Sequence, residues 1–305
     1  MVSTDDVRAA QERIAGRIRR TPVLRDGPAI FKLEYLQHAG SFKTRGMVNQ
    51  ILAGAERGAL PAAGIIAASG GNAGLAAAYA ARELGVAAEV FVPVTAPPIK
   101  VAKLQKLGAQ VVQAGSEYAE AYDAAVVRAG ITGALFCHAY DDADMVAGNG
   151  TLGLELLQQL PDGFDTVLVA VGGGGLVAGV AAALPEQVRV VAVEPVTCAA
   201  LHSALAAGGP VDAPVSGVAA DSLGARRVGA IAYEMAVSTS ITSVLVDDQA
   251  IVDARWQLWE DYRIVVEHGT AAAQAALTSG SYRPAAGERV VVLLCGANTN
   301  LADLA

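Results

Sequence analysis

Lys43 lies in the run Ser41-Phe42-Lys43-Thr44-Arg45-Gly46, with an aromatic ring beside it and a second cation two residues on. Desolvation and a neighbouring positive charge both lower a lysine pKa from about 10.4, and the neutral amine they favour is the form that condenses with an aldehyde. Most lysines are solvated surface groups, and Lys32 and Lys100 pass the same loose test. Gly172-Gly173-Gly174-Gly175 follows an apolar run, Thr166 to Val171, and leads into a helical stretch from Leu176. Four residues without Cβ let the backbone approach a bound group, and the helix beyond offers free N–H groups and a positive dipole end, which suits a phosphate. No Gly-Lys-Ser/Thr follows, so this is not a Walker loop, and the GxGxxG pattern from Gly172 fails at Val177. Glu194 closes the next strand about 20 residues on, where a dinucleotide site places its ribose-binding acid, so a nicotinamide-dependent oxidoreductase stays open.

Ser69-Gly70-Gly71-Asn72-Ala73-Gly74 forms a second strand-to-helix junction. Its amides and the Ser69 hydroxyl could hold a carboxylate, and Asn72 could donate to a phenolic or carbonyl oxygen. An N-cap serine in a glycine-rich turn accounts for the same residues. Cys295 ends the run Val290 to Leu294 and on its own reads as a small core residue. His38, His138, His202 and His268 lack metal-ligand spacing, Asp141-Asp142-Ala143-Asp144 reads as a helix-capping loop, and Ser222 lacks a nucleophile elbow.

Short β-branched runs alternating with alanine-rich helical stretches must position these residues, and that alternation predicts an α/β fold with parallel sheets covered on both faces. Strands are expected over 64–68, 88–93 and 109–112, with helices over 72–84, 98–107 and 117–128. A second series runs from strand 166–171 through helix to about Leu184 and strand 188–193, and a last strand, 290–294, delivers Cys295-Gly296-Ala297-Asn298 to a crevice at the carboxyl end of its sheet. Two sheets are expected, and residues 1–20 read as an amphipathic helix, not a secretory signal.

The 305 residues are 53% hydrophobic and 17% charged, ample for one large core or two modest ones. Mean hydropathy is positive at +0.40, but no run resembles a clean span of about 20 apolar residues, so no membrane span is expected. Three widely spaced cysteines, Cys137, Cys198 and Cys295, suit free thiols and a cytoplasmic location. A net charge of −8 without a long basic run argues against a nucleic-acid partner.

In order, these motifs resemble the fold-type II pyridoxal-phosphate enzymes, specifically the branch of serine and threonine dehydratases and serine racemases. The resemblance runs nearly end to end: Thr21-Pro22-Val23, Phe31-Lys32-Leu33-Glu34, Gly40 to Gly46, Ser69 to Arg82, Gly148 to Glu155, Gly172 to Gly179, Val193-Glu194-Pro195, Asp221-Ser222-Leu223-Gly224 and Cys295 to Asn298. It implies a tryptophan synthase β-like architecture of two open α/β domains with mostly parallel sheets. Residues 1–38 and 142–305 would form the large cofactor-binding domain and 39–141 the small substrate-side domain. Lys43 would carry pyridoxal 5'-phosphate as a Schiff base beside Phe42. Gly172, Gly173, Gly174, Gly175 and Leu176 would bind its phosphate through amides, Asn72 would touch the ring hydroxyl, and Cys295 would face the pyridine nitrogen. Ser69, Gly70, Gly71, Asn72 and Ala73 would receive the substrate carboxylate.

A neutral thiol cannot stabilise a protonated pyridine as a carboxylate would, so the ring is a weaker electron sink and elimination is favoured over transamination. The implied activity is conversion of L-serine or L-threonine to pyruvate or 2-oxobutyrate plus ammonia, with Lys43 taking the Cα proton and the cofactor phosphate protonating the leaving hydroxyl. Racemases of this branch carry a second serine after the first in the Ser-x-Gly-Asn loop, where this chain has Gly70, so racemisation is not expected. Ala73 replaces the histidine of many threonine dehydratases and resembles the catabolic serine dehydratases. Glu194 matches the family's cation position, but the later polar ligand falls on Ala200 and Cys198 offers only its carbonyl. Divalent binding is therefore not expected, and a monovalent cation near Glu194 and Cys198 is the alternative. The chain ends soon after the Cys295 loop, so no regulatory domain and no isoleucine feedback are expected. A homodimer acting on a small amino acid completes the picture. Another β-eliminating activity, racemisation, and an inactive ligand-binding relative are the competing readings.

Overall fold

The protein is described by a computed structural model over residues 1–27, 29–58 and 60–300. Its strands are β1 (Val23–Asp26), β2 (Ala29–Lys32), β3 (Ile65–Ala68), β4 (Ala88–Val92), β5 (Gln110–Gln113), β6 (Leu135–Phe136), β7 (Thr166–Ala170), β8 (Arg189–Pro195), β9 (Thr242–Val246) and β10 (Val290–Leu293). The helices are α1 (Thr4–Arg13), α2 (Lys43–Glu56), α3 (Asn72–Leu84), α4 (Pro98–Lys106), α5 (Tyr118–Thr132), α6 (Ala143–Gln159), α7 (Gly175–Ala183), α8 (Ala200–Ala207), α9 (Ala220–Leu223), α10 (Ala230–Ser238), α11 (Asp248–Tyr262) and α12 (His268–Thr278).

Two sheets form, one ordered β1-β2-β10-β7-β8-β9 and the other β5-β4-β3-β6. All pairings are parallel except the β1–β2 hairpin, an antiparallel edge that the alternation of strands and helices did not announce. β3, β7 and β10 are buried along their whole length, which is why they read as unbroken apolar runs. α1 stops at Arg13, short of residue 20, and α5 continues to Thr132, past the expected end at Arg128.

The strand orders place the site. From β7 the chain steps outward to β8 and β9, then returns to the other side of β7 as β10; from β3 it steps to β4 and β5, then returns beside β3 as β6. Each sheet thus reverses direction once, and the crevice beyond the carboxyl ends of the strands opens at that reversal. Gly172 and Cys295 follow β7 and β10; Ser69 and Ala139 follow β3 and β6.

Three helices join the halves at backbone contact. A Cβ on Gly148 would stand 2.7 Å from the Arg45 carbonyl oxygen, and one on Gly179 would stand 2.3 Å from that of Val146, so α2, α6 and α7 cross where only glycine fits. Met145 of α6 packs into the core under the smaller sheet, and its neighbour Val146 into the core under the larger one. Beneath α2 lies a buried charge cluster. Arg45 donates to Glu34 at 2.6 and 2.9 Å and to Glu155 at 3.0 Å, while Lys32 meets Glu155 at 2.5 Å and donates to the Thr21 carbonyl at 2.6 Å. Buried charges persist only when paired, and these four neutralise one another. Among the described residues no helix is long and apolar enough to cross a membrane.

Candidate active site

Lys43 is the first residue of α2, and the chain before it is tied to the turn after β10. The Phe42 amide donates to the Cys295 carbonyl at 3.0 Å, and Ser41 pairs with Gly296. These two links, between residues some 250 positions apart in the chain, bring the amine and the thiol into one cavity. Its walls also include Asn72, Gly172 to Gly175, Leu176, Ser222, Glu267 and Thr270. Lys43 Nζ donates to the Ala139 carbonyl at 2.6 Å and lies 4.8 Å from the centre of the Phe42 ring. The side chain is reachable from the cavity, but the atoms packed around the amine desolvate it and bring its pKa from 10.5 down to about 8. Arg45 has no part in that shift, contrary to the expectation from the sequence, because its guanidinium turns away from the cavity into Glu34 and Glu155.

Gly174, the third glycine of the run, caps α7 with φ +90° and no side-chain cap, so the first amides of that helix have no acceptor behind them. A Cβ on Gly172 would stand 3.1 Å from Leu223 Cα, on Gly173 2.3 Å from the Tyr140 ring, and on Gly174 2.4 Å from Ala232 Cβ. Each glycine is therefore required by what packs behind it, and the backbone itself forms the cavity wall. Cys295 Sγ lies 3.3 Å from Thr270 Oγ1, and burial pushes the thiol up to about 12, so it stays protonated at neutral pH.

The loop after β3 is only partly drawn in. Asn72 lines the cavity, whereas Ser69, Gly70, Gly71 and Ala73 are not among its lining residues. The Ser69 hydroxyl accepts from the Gly71 amide at 3.1 Å, and Ala73 belongs to the core under the smaller sheet. Asn72 Nδ2 lies 3.0 and 2.9 Å from the two oxygens of Glu267, a buried carboxyl whose pKa burial raises. Glu267, Thr270 and the Ala139 carbonyl were not found from the sequence. Glu267-His268-Gly269-Thr270 carries no recognisable spacing, and a main-chain carbonyl has no sequence signature at all. Glu194 is far from this constellation in role: its carboxylate accepts the Leu201 and His202 amides, both at 2.8 Å, capping α8. Both oxygens are thus engaged and the side chain is fully buried, so it offers no open acceptor to a ribose, and desolvation raises this carboxyl to about 7. Cys198 Sγ points to the Ser216 carbonyl at 3.0 Å. Among the described residues no group of three or more His, Cys, Asp or Glu side chains is arranged to hold a metal.

A buried amine of lowered pKa, an anion cradle and a neutral thiol in one crevice suit an aldehyde cofactor with a phosphate tail. Residues 14–296 match the family described as pyridoxal-phosphate dependent enzyme. The chain belongs to that family. Among pyridoxal-phosphate dependent enzymes it is 38% identical to an L-threonine ammonia-lyase of Geobacter sulfurreducens over 95% of this chain and 74% of that protein. It is 37% identical to a phenylserine dehydratase of Ralstonia pickettii over 96% of this chain and 92% of that one. The solved structure of maize serine racemase superposes with a TM-score of 0.92 at 30% identity, covering 99% of this chain and 95% of the maize chain. The fold is accordingly fold type II. The pyridoxal-phosphate family also sets aside the nicotinamide alternative, in keeping with the occupied carboxylate of Glu194.

The residues present fit the cofactor. The wall from Gly172 to Leu176 offers amides and no side chain before Leu176, the thiol at 295 is uncharged, and the amine at 43 is available in its neutral form.

Proposed function

We propose that this protein is an ammonia-lyase that removes water and ammonia from L-serine or L-threonine. One observation carries the reading: the thiol at 295, held protonated with a pKa of about 12, stands in the same cavity as the Lys43 amine. The Gly172 to Leu176 amides would grip the cofactor phosphate, Lys43 Nζ would take its aldehyde, and Cys295 Sγ would meet its ring nitrogen. The bound cofactor supplies an electron sink for the bond at Cα. With the uncharged Cys295 thiol as its partner that sink would be shallow, which would favour early loss of the Cβ hydroxyl. Lys43 Nζ would take the Cα proton, the Cβ–O bond would break, and the hydroxyl would leave as water with a proton from the cofactor phosphate that the Gly172 to Leu176 amides would hold. The released enamine then takes up water to give the 2-oxo acid and ammonia. Gly70 supports elimination over racemisation, because it leaves the loop opposite Lys43 without a second hydroxyl base. The similarity to an L-threonine ammonia-lyase and a phenylserine dehydratase supports a β-hydroxy amino acid as substrate.

The same proposal divides the chain into a cofactor-binding part, 1–38 with 142–305, and a substrate-side part, 39–141. It is supported by the location of β3 to β6 between Ile65 and Phe136. It also includes a homodimer, which light scattering would check, and a cytoplasmic location, supported by three buried cysteines that remain free thiols.

The test is an absorbance scan of purified protein followed by 2-oxo acid and ammonia assays with serine, threonine and their stereoisomers. Lys43→Ala is expected to abolish both the visible band and turnover. A band that persists in that variant, or a wild type that releases no ammonia from either amino acid, would overturn the reading.

A further inference from the structure

We infer that Glu267 is a positioning residue of this site, clasping the Asn72 amide across the cleft and so fixing the loop 69–73 against Lys43 and Cys295. What that loop receives, the substrate carboxylate, rests on the ammonia-lyase reading.

Asn72 opens α3 beside the smaller sheet, whereas Glu267 precedes α12 and Asn298 follows β10, both beside the larger one. Asn72 Nδ2 lies 3.0 and 2.9 Å from the Glu267 oxygens, while Asn72 Oδ1 accepts from Asn298 Nδ2 at 2.7 Å. Both ends of the Asn72 amide are therefore read, and it has one permitted orientation. Asn298 is itself fixed, since its main-chain amide donates to Glu267 Oε1 at 2.8 Å and its side chain donates to the Ala39 carbonyl at 2.7 Å. Gly296 completes the arrangement: a Cβ there would stand 2.8 Å from Glu267 Oε1 and 3.3 Å from Asn72 Nδ2. Only Glu267 is buried and the two asparagines are half-buried, but a network whose members all find partners imposes a single geometry, and a partly satisfied one loses it.

Lys43 and Cys295 lie outside the clasp, joined instead through the Phe42 amide and the Cys295 carbonyl. Breaking the clasp therefore leaves the link that holds Lys43 intact, although the Glu267 charge also helps to raise the Cys295 thiol. Glu267→Gln keeps one oxygen for the Asn298 main-chain amide but sets an NH2 group where the other oxygen stood, against Asn72 Nδ2, so the two-oxygen hold on Asn72 is lost.

The experiment compares cofactor-loaded wild type, Glu267→Gln and Glu267→Asp. Loss of a charge-assisted hydrogen bond in Glu267→Gln is expected to raise KM for the amino acid about tenfold with kcat within about threefold. Without substrate, the absorption band of the bound cofactor is expected to move, because the Asn72 amide beside it is no longer held by two acceptors. Glu267→Asp keeps two acceptors and is expected to keep the wild-type band. Should Glu267→Gln fail to fold, Asn298→Ala removes the donor at the other end of Asn72 and carries the same expectation. An unchanged KM and band overturns the proposal, as does a fall in kcat, cofactor retention and melting temperature with KM unmoved. If wild type turns over neither serine nor threonine, the ammonia-lyase reading fails while the band shift still decides the clasp.

Discussion

Lys43 Nζ donates to the main-chain carbonyl of Ala139 at 2.6 Å, so the buried amine is held by a neutral dipole and not by a carboxylate. A carbonyl orients the amine without the attraction of a full negative charge, so burial decides the balance and brings the pKa down to about 8.

That value makes a prediction about the cofactor-free protein. In the unfolded chain the amine titrates at 10.5, so between about 8 and 10.5 the unfolded state binds more protons than the folded state, and stability rises with pH across that window. Below the window the burial penalty is fully present and amounts to at most about 3 kcal/mol. Cofactor-free Lys43→Met is therefore expected to be more stable than cofactor-free wild type at pH 7, with the advantage shrinking by pH 10. Urea unfolding at the two pH values checks this, and an advantage that does not shrink would exclude the amine as its source.

Arg45 sits two residues from Lys43 and anchors the first turn of α2 to Glu34 and Glu155. Replacing it with methionine leaves two buried carboxylates short of a cation and is expected to cost about 3–5 kcal/mol. Denaturant midpoints measure the loss. A change near zero would mean that water or Lys32 compensates for the missing guanidinium.

Gly173→Ala and Gly174→Ala are expected to weaken cofactor binding, because the added methyl groups meet the Tyr140 ring at 2.3 Å and Ala232 Cβ at 2.4 Å. Gly174 also has φ +90°, which disfavours alanine by a further ~1 kcal/mol or more. Equilibrium dialysis against pyridoxal phosphate provides the readout, and wild-type affinity in both variants would show that the loop shifts freely.

Gly70→Ser addresses the reaction outcome. A Cβ at Gly70 meets only Val92 Cγ1, at an ordinary 3.6 Å, so the fold accepts the side chain. The new hydroxyl is expected to introduce some racemisation of serine, measured by chiral chromatography. Recovery of a single enantiomer after extended incubation would show that a missing base is not what confines the enzyme to elimination.

The sequence by itself determined the fold class, a phosphate-binding turn and, through the resemblance of its ordered motifs, the cofactor family. Buried parallel strands are continuous apolar runs, as in Val290 to Leu293, and a phosphate cradle must be built from residues lacking side chains, as at Gly172 to Gly175. Both signals are local, so composition and spacing preserve them. The direction of a charged side chain is not local. Arg45 adjoins Lys43 in sequence, yet it serves a charge cluster whose partners lie 11 and 110 residues away. The tertiary structure likewise decided that Asn72 faces Glu267 across the cleft between the two sheets and that Lys43 meets the Ala139 carbonyl, 96 residues further along the chain. Such pairs are fixed by how α2, α6 and α7 close on one another through their glycines. No periodicity in the chain encodes that closure.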